Sequence, residues 1–199
     1  MTFSSAEYWE RRYGCGSHSG AGSYGRLAEF KAEVLNRFVL EHGIRDVIDF
    51  GCGDGAQLSL AKYPHYVGID VSATAVDKCR ARFQHDTSKR FYLPAELPAP
   101  RGFELALSLD VIFHLVEDDV FTHYMAGLFR ASHRYVIVYS TNRNAVLAEH
   151  VRDRQFTTWV EVQQPDWDLI QHIPSRYPWD VMDRHNTSPA EFFIYKRPR

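Results

Sequence analysis

The sequence predicts an α/β fold: a doubly wound, seven-stranded sheet, mostly parallel, with an antiparallel strand pair at its C-terminal end. Three observations predict it. Five short apolar or β-branched runs alternate with helical patterns, two more runs close the chain with no full helix between them, and a glycine cluster directly follows the first run. Alternation of this kind implies a parallel sheet with helices on both faces. No repeat, low-complexity tract or linker divides the 199 residues, so one domain is expected over 1–199, a leading segment 1–26 followed by a core 27–199.

Residues 7–13, EYWERRY, read as a short amphipathic helix carrying Tyr8, Trp9 and Tyr13. A glycine-rich loop follows, with Gly14, Gly16, Gly20, Gly22 and Gly25. Leu27, Phe30, Val34, Leu35 and Phe38 then recur at helical spacing, and Gly43 stops the helix. DVIDF (46–50) is the first strand, 56–62 a short helix, and YVGIDV (66–71) the second strand. Ser72 caps a helix running to Phe83. KRFYL (89–93) and ELALSLDV (104–111) are the third and fourth strands, followed by a helix over 118–131 and a fifth strand, RYVIVYS (134–140). The stretch 145–164 mixes helical and irregular signals, and DLIQHIP (168–174) and AEFFIYKR (190–197) are the two late strands.

Composition narrows the function. A net charge of −2 sets up no global field to recruit nucleic acid or an anionic membrane. No run of about 18 apolar residues is present to span a bilayer. Residues 1–14 lack the apolar stretch of a signal peptide, and Cys15, Cys52 and Cys79 form no CxxC pair, so free thiols in a reducing cytosol are expected. The histidines fall in no HExxH or paired Cys/His pattern, so no metal is expected.

The chemistry concentrates in VIDFGCGDG (47–55). Gly51 permits a tight turn out of the first strand, Gly53 lets a ligand approach the backbone, and Gly55 lets the next helix start close by, where its N–H groups would suit an anionic group. A dinucleotide site expects G-x-G-x-x-G. Here the third glycine comes one position too early, and Asp49 and Asp54 would repel a pyrophosphate. Two carboxylates instead suit a ligand with an amine, hydroxyls and a local positive charge, and S-adenosylmethionine has these.

VIDFGCGDG resembles the glycine-rich motif of class I S-adenosylmethionine-dependent methyltransferases. YVGIDVS resembles that family's second motif, and FELALSLDVIFHLVED (103–118) its fourth-strand motif. The resemblance covers residues 27–197 and implies a Rossmann-like sheet, S-adenosylmethionine as cofactor and methyl transfer as the activity. It implies that Asp70 holds the ribose hydroxyls, and that Asp49, Gly51, Cys52, Gly53, Asp54, Gly55, Val71, Leu109 and Asp110 complete the cofactor site. Trp9, Tyr13 and Tyr24 would close over it as a lid. His114, just past the fourth strand, is the candidate general base. His150, Arg152, Arg154, Phe156 and Trp159 stand where the family recognises acceptors, and their arginines point to an anionic group.

The chain lacks the Asn/Asp-Pro-Pro-aromatic tetrapeptide of DNA amino-methyltransferases, and no basic stripe is present. The expected acceptor is a small molecule or a glycan, in a cytoplasmic biosynthetic setting, with no nucleic acid and no membrane as partner. A nicotinamide-dependent reductase and a non-catalytic nucleotide-binding or regulatory module remain as alternatives on the same fold.

Overall fold

The structure is a computed structural model that describes residues 3–98 and 102–198. In chain order its strands are β1 (Asp46–Phe50), β2 (His65–Ile69), β3 (Lys89–Tyr92), β4 (Phe103–Leu109), β5 (Ser132–Ser140), β6 (Ala145–Ala148), β7 (Val151–Asp153), β8 (Asp168–Ile173) and β9 (Glu191–Lys196). Its helices are α1 (Ser5–Gly14), α2 (Gly25–Glu41), α3 (Ala73–Arg82), α4 (Asp118–Ala131) and α5 (Phe156–Gln163).

A seven-stranded sheet runs in the order β3-β2-β1-β4-β5-β9-β8. β1 is parallel to β2 and β4, and only β9 reverses, pairing antiparallel with both β5 and β8. The sheet is Rossmann-like, with the seven strands and the late antiparallel pair that the sequence implies.

Strand alternation builds two cores. Val47, Leu105, Leu107, Ile137 and Ile194 face α2 and α3, packing with Val34, Leu35, Phe38 and Val76. Ile48, Ala106, Val136, Val138 and Phe193 face the other way, onto Phe121, Met125 and Leu128 of α4 and Phe156 of α5. The strand order reverses its sense of growth between β1 and β4, and a crevice at the carboxyl ends of neighbouring strands follows from that topology.

Two local expectations are corrected. Residues 56–62 do not form an α-helix; only a 3-10 turn, Gln57–Leu60, separates β1 from β2. Asn36 of α2 supplies the missing partners, donating to the Leu60 carbonyl at 2.9 Å and accepting from the Lys62 N–H at 2.7 Å. With no α-helix starting at Gly55, the expected helix-end site for an anionic group is not built. The ambiguous stretch 145–164 resolves into a β6–β7 hairpin followed by α5.

Candidate active site

A cavity of about 540 Å³ opens at the carboxyl ends of β1, β2 and β4. Its wall includes Asp49, Gly51, Cys52 and Gly53 from the first strand and its loop, Asp70 and Val71 after β2, Leu109 at the end of β4, and Asp110 and His114 after it. Trp9 and Tyr13 of α1 also line it.

The loop is hung from β2. The N–H groups of Gly51 and Cys52 donate to the Ile69 carbonyl at 2.8 and 3.1 Å, and the Gly53 N–H donates to Asp70 Oδ2 at 2.9 Å. Gly53 has φ +57°, and a Cβ there would lie 2.9 Å from Tyr13 Oη and overlap Ser19 Oγ. Only glycine combines that backbone with so close an approach.

The two strand-end carboxylates have different surroundings. Asp49 accepts from Tyr66 Oη at 2.8 Å through Oδ2, while its Oδ1 is buried with no hydrogen-bond partner among the described residues. Burial pushes the Asp49 carboxyl up to about 7, against the pull of the Tyr66 hydrogen bond and the Lys31 charge. Asp70 is gripped by the N–H groups of Gly53 and Ser72, both at 2.9 Å. Burial nevertheless lifts it to about 6. A hydrogen bond with Cys79 and burial push the Cys52 thiol up, which makes Cys52 a neutral space-filler.

This set fits S-adenosylmethionine. A buried carboxylate oxygen without a donor is costly, and an ammonium group satisfies it. Asp70 is anchored by backbone donors and keeps lone pairs for hydroxyls. Gly51 and Gly53 line the cavity of about 540 Å³, a volume within the range of small-molecule and cofactor pockets.

The leading segment is latched over the cavity from several sides. Glu10 accepts from Ser72 Oγ at 2.7 Å and Thr74 Oγ1 at 2.5 Å, tying α1 to the start of α3. Ser5 donates its N–H to Glu117 at 2.8 Å, tying α1 to the segment before α4. Lys78 donates to the Tyr13 and Ser17 carbonyls.

Several expected contacts fall elsewhere. Asp54, Gly55 and Tyr24 do not line the cavity. Asp54 instead accepts from the Ser19 N–H, Tyr24 Oη and the Ala56 N–H, clamping the leading loop to the glycine loop. Gly55 sits against Phe83 and Cys79, so its closeness serves α3.

His150, Arg152, Arg154, Phe156 and Trp159 also lie off the cavity wall. Phe156 is in the core against Phe193, and Trp159 packs on Phe121. Arg152 and Arg154 converge on Asp118 at 3.0 and 2.6 Å, and Arg154 also donates to the Leu115 and Val116 carbonyls. They bind chain atoms that the turn before α4 leaves unpaired, and neither arginine is on the cavity wall. Arg154→Ala is therefore expected to lower unfolding free energy by about 2 kcal/mol, the scale of a charged hydrogen bond, with acceptor KM unchanged. Denaturant titration and acceptor kinetics check the two halves.

His150 does contribute from behind. Its ring stacks on Tyr8 at 4.7 Å, and its carbonyl lies 3.1 Å from His114 Nδ1. A carbonyl only accepts, so His114 carries its proton on Nδ1 and a lone pair on Nε2. Burial holds the His114 imidazole down at about 4.

The sequence reading missed Lys31. It lies on the cavity wall and pairs with Asp110 at 2.5 Å. The available signal was a lysine within the apolar stripe of Leu27, Val34 and Leu35. Among the described residues, no group of three or more His, Cys, Asp or Glu side chains could hold a metal ion. No helix among them is long and apolar enough to cross a membrane.

Residues 47–134 match the methyltransferase domain family. The fold is similar to the N-methyltransferase NodS from Bradyrhizobium japonicum WM9, solved with S-adenosyl-L-homocysteine: TM-score 0.76, 13% identity, 98% of this chain and 99% of that one. It is similar also to the magnesium protoporphyrin IX methyltransferase ChlM from Synechocystis PCC 6803, solved with S-adenosylmethionine: TM-score 0.64, 15% identity, 99% and 93% coverage. At these identities the likeness establishes the fold. A segment of 69 residues, 31% of this chain, is 33% identical to mRNA cap guanine-N(7) methyltransferase 1 of Arabidopsis thaliana and spans 19% of that protein's length.

Proposed function

We propose that this chain, which carries a class I S-adenosylmethionine-dependent methyltransferase domain, transfers the activated methyl group to a small-molecule or glycan acceptor through an amine or hydroxyl. One observation carries the reading: a single cavity brings the unpaired oxygen of Asp49 and the anchored carboxylate of Asp70 together with His114. Bound there, S-adenosylmethionine supplies a methyl carbon already attached to a cationic sulfur leaving group, so no side chain has to activate it.

The protein's own work is binding, alignment and proton handling. Asp49 would receive the cofactor's ammonium and Asp70 its ribose hydroxyls, and Trp9 and Tyr13 of α1 wall the cavity against water. His114 is neutral at neutral pH, with Nε2 as its free lone pair. Such an imidazole orients an amine by accepting its N–H. It also takes the proton of a hydroxyl, whose acidity rises steeply as the new bond forms. Glu117 and Asp119 are the other charged groups on the α4 side of the cavity, and both are acceptors, which favours an N–H or O–H nucleophile over a carboxylate.

Calorimetry with S-adenosylhomocysteine and with NADH tests the cofactor. Heat from NADH alone would return the reading to a reductase. A methyl-release assay over amine, hydroxyl and carboxylate acceptors tests the chemistry. His114→Ala is expected to lower kcat by about 100-fold while leaving S-adenosylhomocysteine affinity intact, and unchanged turnover would remove His114 from the mechanism.

A further inference from the structure

We infer that Tyr8 is a positioning residue for His114: through the ring of His150 it fixes which His114 nitrogen faces the cavity. The inference rests on the role given to His114 above and adds the element that controls it.

Neither Tyr8 nor His150 is on the cavity wall, so both act on the site through other residues. His150 is at the tip of the β6–β7 hairpin, between the paired residues Ala148 and Val151. The β6 strand gives that tip little support, since Val146 and Leu147 are 77% and 58% exposed. The tip is met instead by α1. The Tyr8 ring stacks on the His150 ring at 4.7 Å, with 17° between their planes. The His150 ring in turn runs parallel to the His114 ring at 6.1 Å, and its carbonyl accepts from His114 Nδ1 at 3.1 Å. The same helix also reaches His114 directly. Ser5, Tyr8 and Trp9 stand at i, i+3 and i+4 and share one face of α1. Ser5 Oγ lies 2.8 Å from the His114 carbonyl, and the Trp9 ring meets the His114 ring edge-on at 4.8 Å.

The chemistry follows from imidazole tautomers. In a neutral imidazole one nitrogen donates and the other accepts, and the partner of the first decides which is which. In water the Nε2–H form is the commoner one, and here it would turn a donor toward the cavity. Such a ring opposes the N–H or O–H of an acceptor and takes no proton from it. The His150 carbonyl enforces the reverse form while the hairpin tip stays under Tyr8. Glu10 and Ser5 tie the same helix to Ser72 and Glu117. Docking of α1 over the cavity and readiness of the base are thereby one event.

The test reads the His114 ring nitrogens by nitrogen NMR of the labelled protein at neutral pH, which tells a protonated ring nitrogen from an unprotonated one. Wild type is expected to carry its proton on Nδ1. Tyr8→Ala moves His114 toward the Nε2–H form. So does His150→Ala, which keeps the carbonyl and loses the stacked ring. Tyr8→Phe keeps the wild-type form. Turnover is measured on whichever amine or hydroxyl gives most product in the methyl-release assay. In Tyr8→Ala, kcat falls about 10-fold, the upper scale of one aromatic pair, with S-adenosylhomocysteine affinity held within about twofold. In the His114→Ala background, Tyr8→Ala costs nothing more, because the two residues act as a unit. If Tyr8→Ala does not fold, His150→Ala carries the same reading. An unchanged tautomer in the folded variants, or a Tyr8→Phe that behaves as Tyr8→Ala, overturns the inference and leaves the proposed function standing. A shifted tautomer with undiminished kcat overturns it and also removes His114 from the mechanism. No product from any acceptor overturns the proposed function, and the nitrogen spectrum still decides the inference.

Discussion

Gly53→Val is expected to lower affinity for S-adenosylhomocysteine by more than about 100-fold, because three costs fall on one position. The backbone has φ +57°, a region that β-branched residues adopt only as outliers. The new side chain meets Tyr13 Oη and Ser19 Oγ, the two groups that bring the leading segment down onto the loop. Any shift of residue 53 also pulls its N–H from Asp70. Gly127→Ala is the matched control. Gly127 lies in α4, its added Cβ would make only an ordinary 3.6 Å contact with Phe50, and alanine improves helix propensity by about 1 kcal/mol. Calorimetry on both variants separates loop geometry from glycine loss in general. Wild-type affinity in Gly53→Val would move the cofactor elsewhere.

Asp70→Ala carries the second large effect. Its carboxylate anchors the Gly53 and Ser72 N–H groups and, in the function proposed above, accepts the ribose hydroxyls as well. Losing charged hydrogen bonds of about 1.5–3 kcal/mol each predicts a fall of about 100-fold in cofactor affinity. Unchanged affinity in a folded variant would detach Asp70 from the ribose.

The same residue sets a pH dependence with a definite sign. Burial raises Asp70 from 3.8 to about 6. Between those values the folded chain binds more protons than the unfolded one, so this group's contribution to stability falls as pH rises through that window. Hydroxyls bind the ionised form better, so in wild type cofactor affinity should weaken as pH drops below about 6, and Asp70→Ala should flatten that slope.

Much of the fold was legible because strand parity and helical spacing are local properties. Val47 and Ile48 alternate in sequence and end in opposite cores. The 3-10 turn at Gln57–Leu60 was not legible, since Asn36 stabilises it from another element. The cavity-lining residues Asp49, Gly51, Gly53 and Asp70 sit at strand ends, where topology alone directs a ligand. The placement of the arginines was not legible for a different reason. An arginine free to bind a ligand and one saturated by backbone carbonyls look the same in sequence, and Arg154 proved to be the second kind.

By itself the sequence determined the α/β architecture, the order of its strands along the chain, and the glycine loop and strand-end acid that line the cavity, because periodicity and glycine spacing are written in neighbouring residues. Only the tertiary structure decided which polar groups share the cavity. It brought Lys31 to Asp110 across 79 positions, spent Arg152 and Arg154 on Asp118, and set the tautomer of His114 through the His150 carbonyl. The physical reason is that a buried charge or ring nitrogen takes its role from its partner, and these partners are distant in the chain.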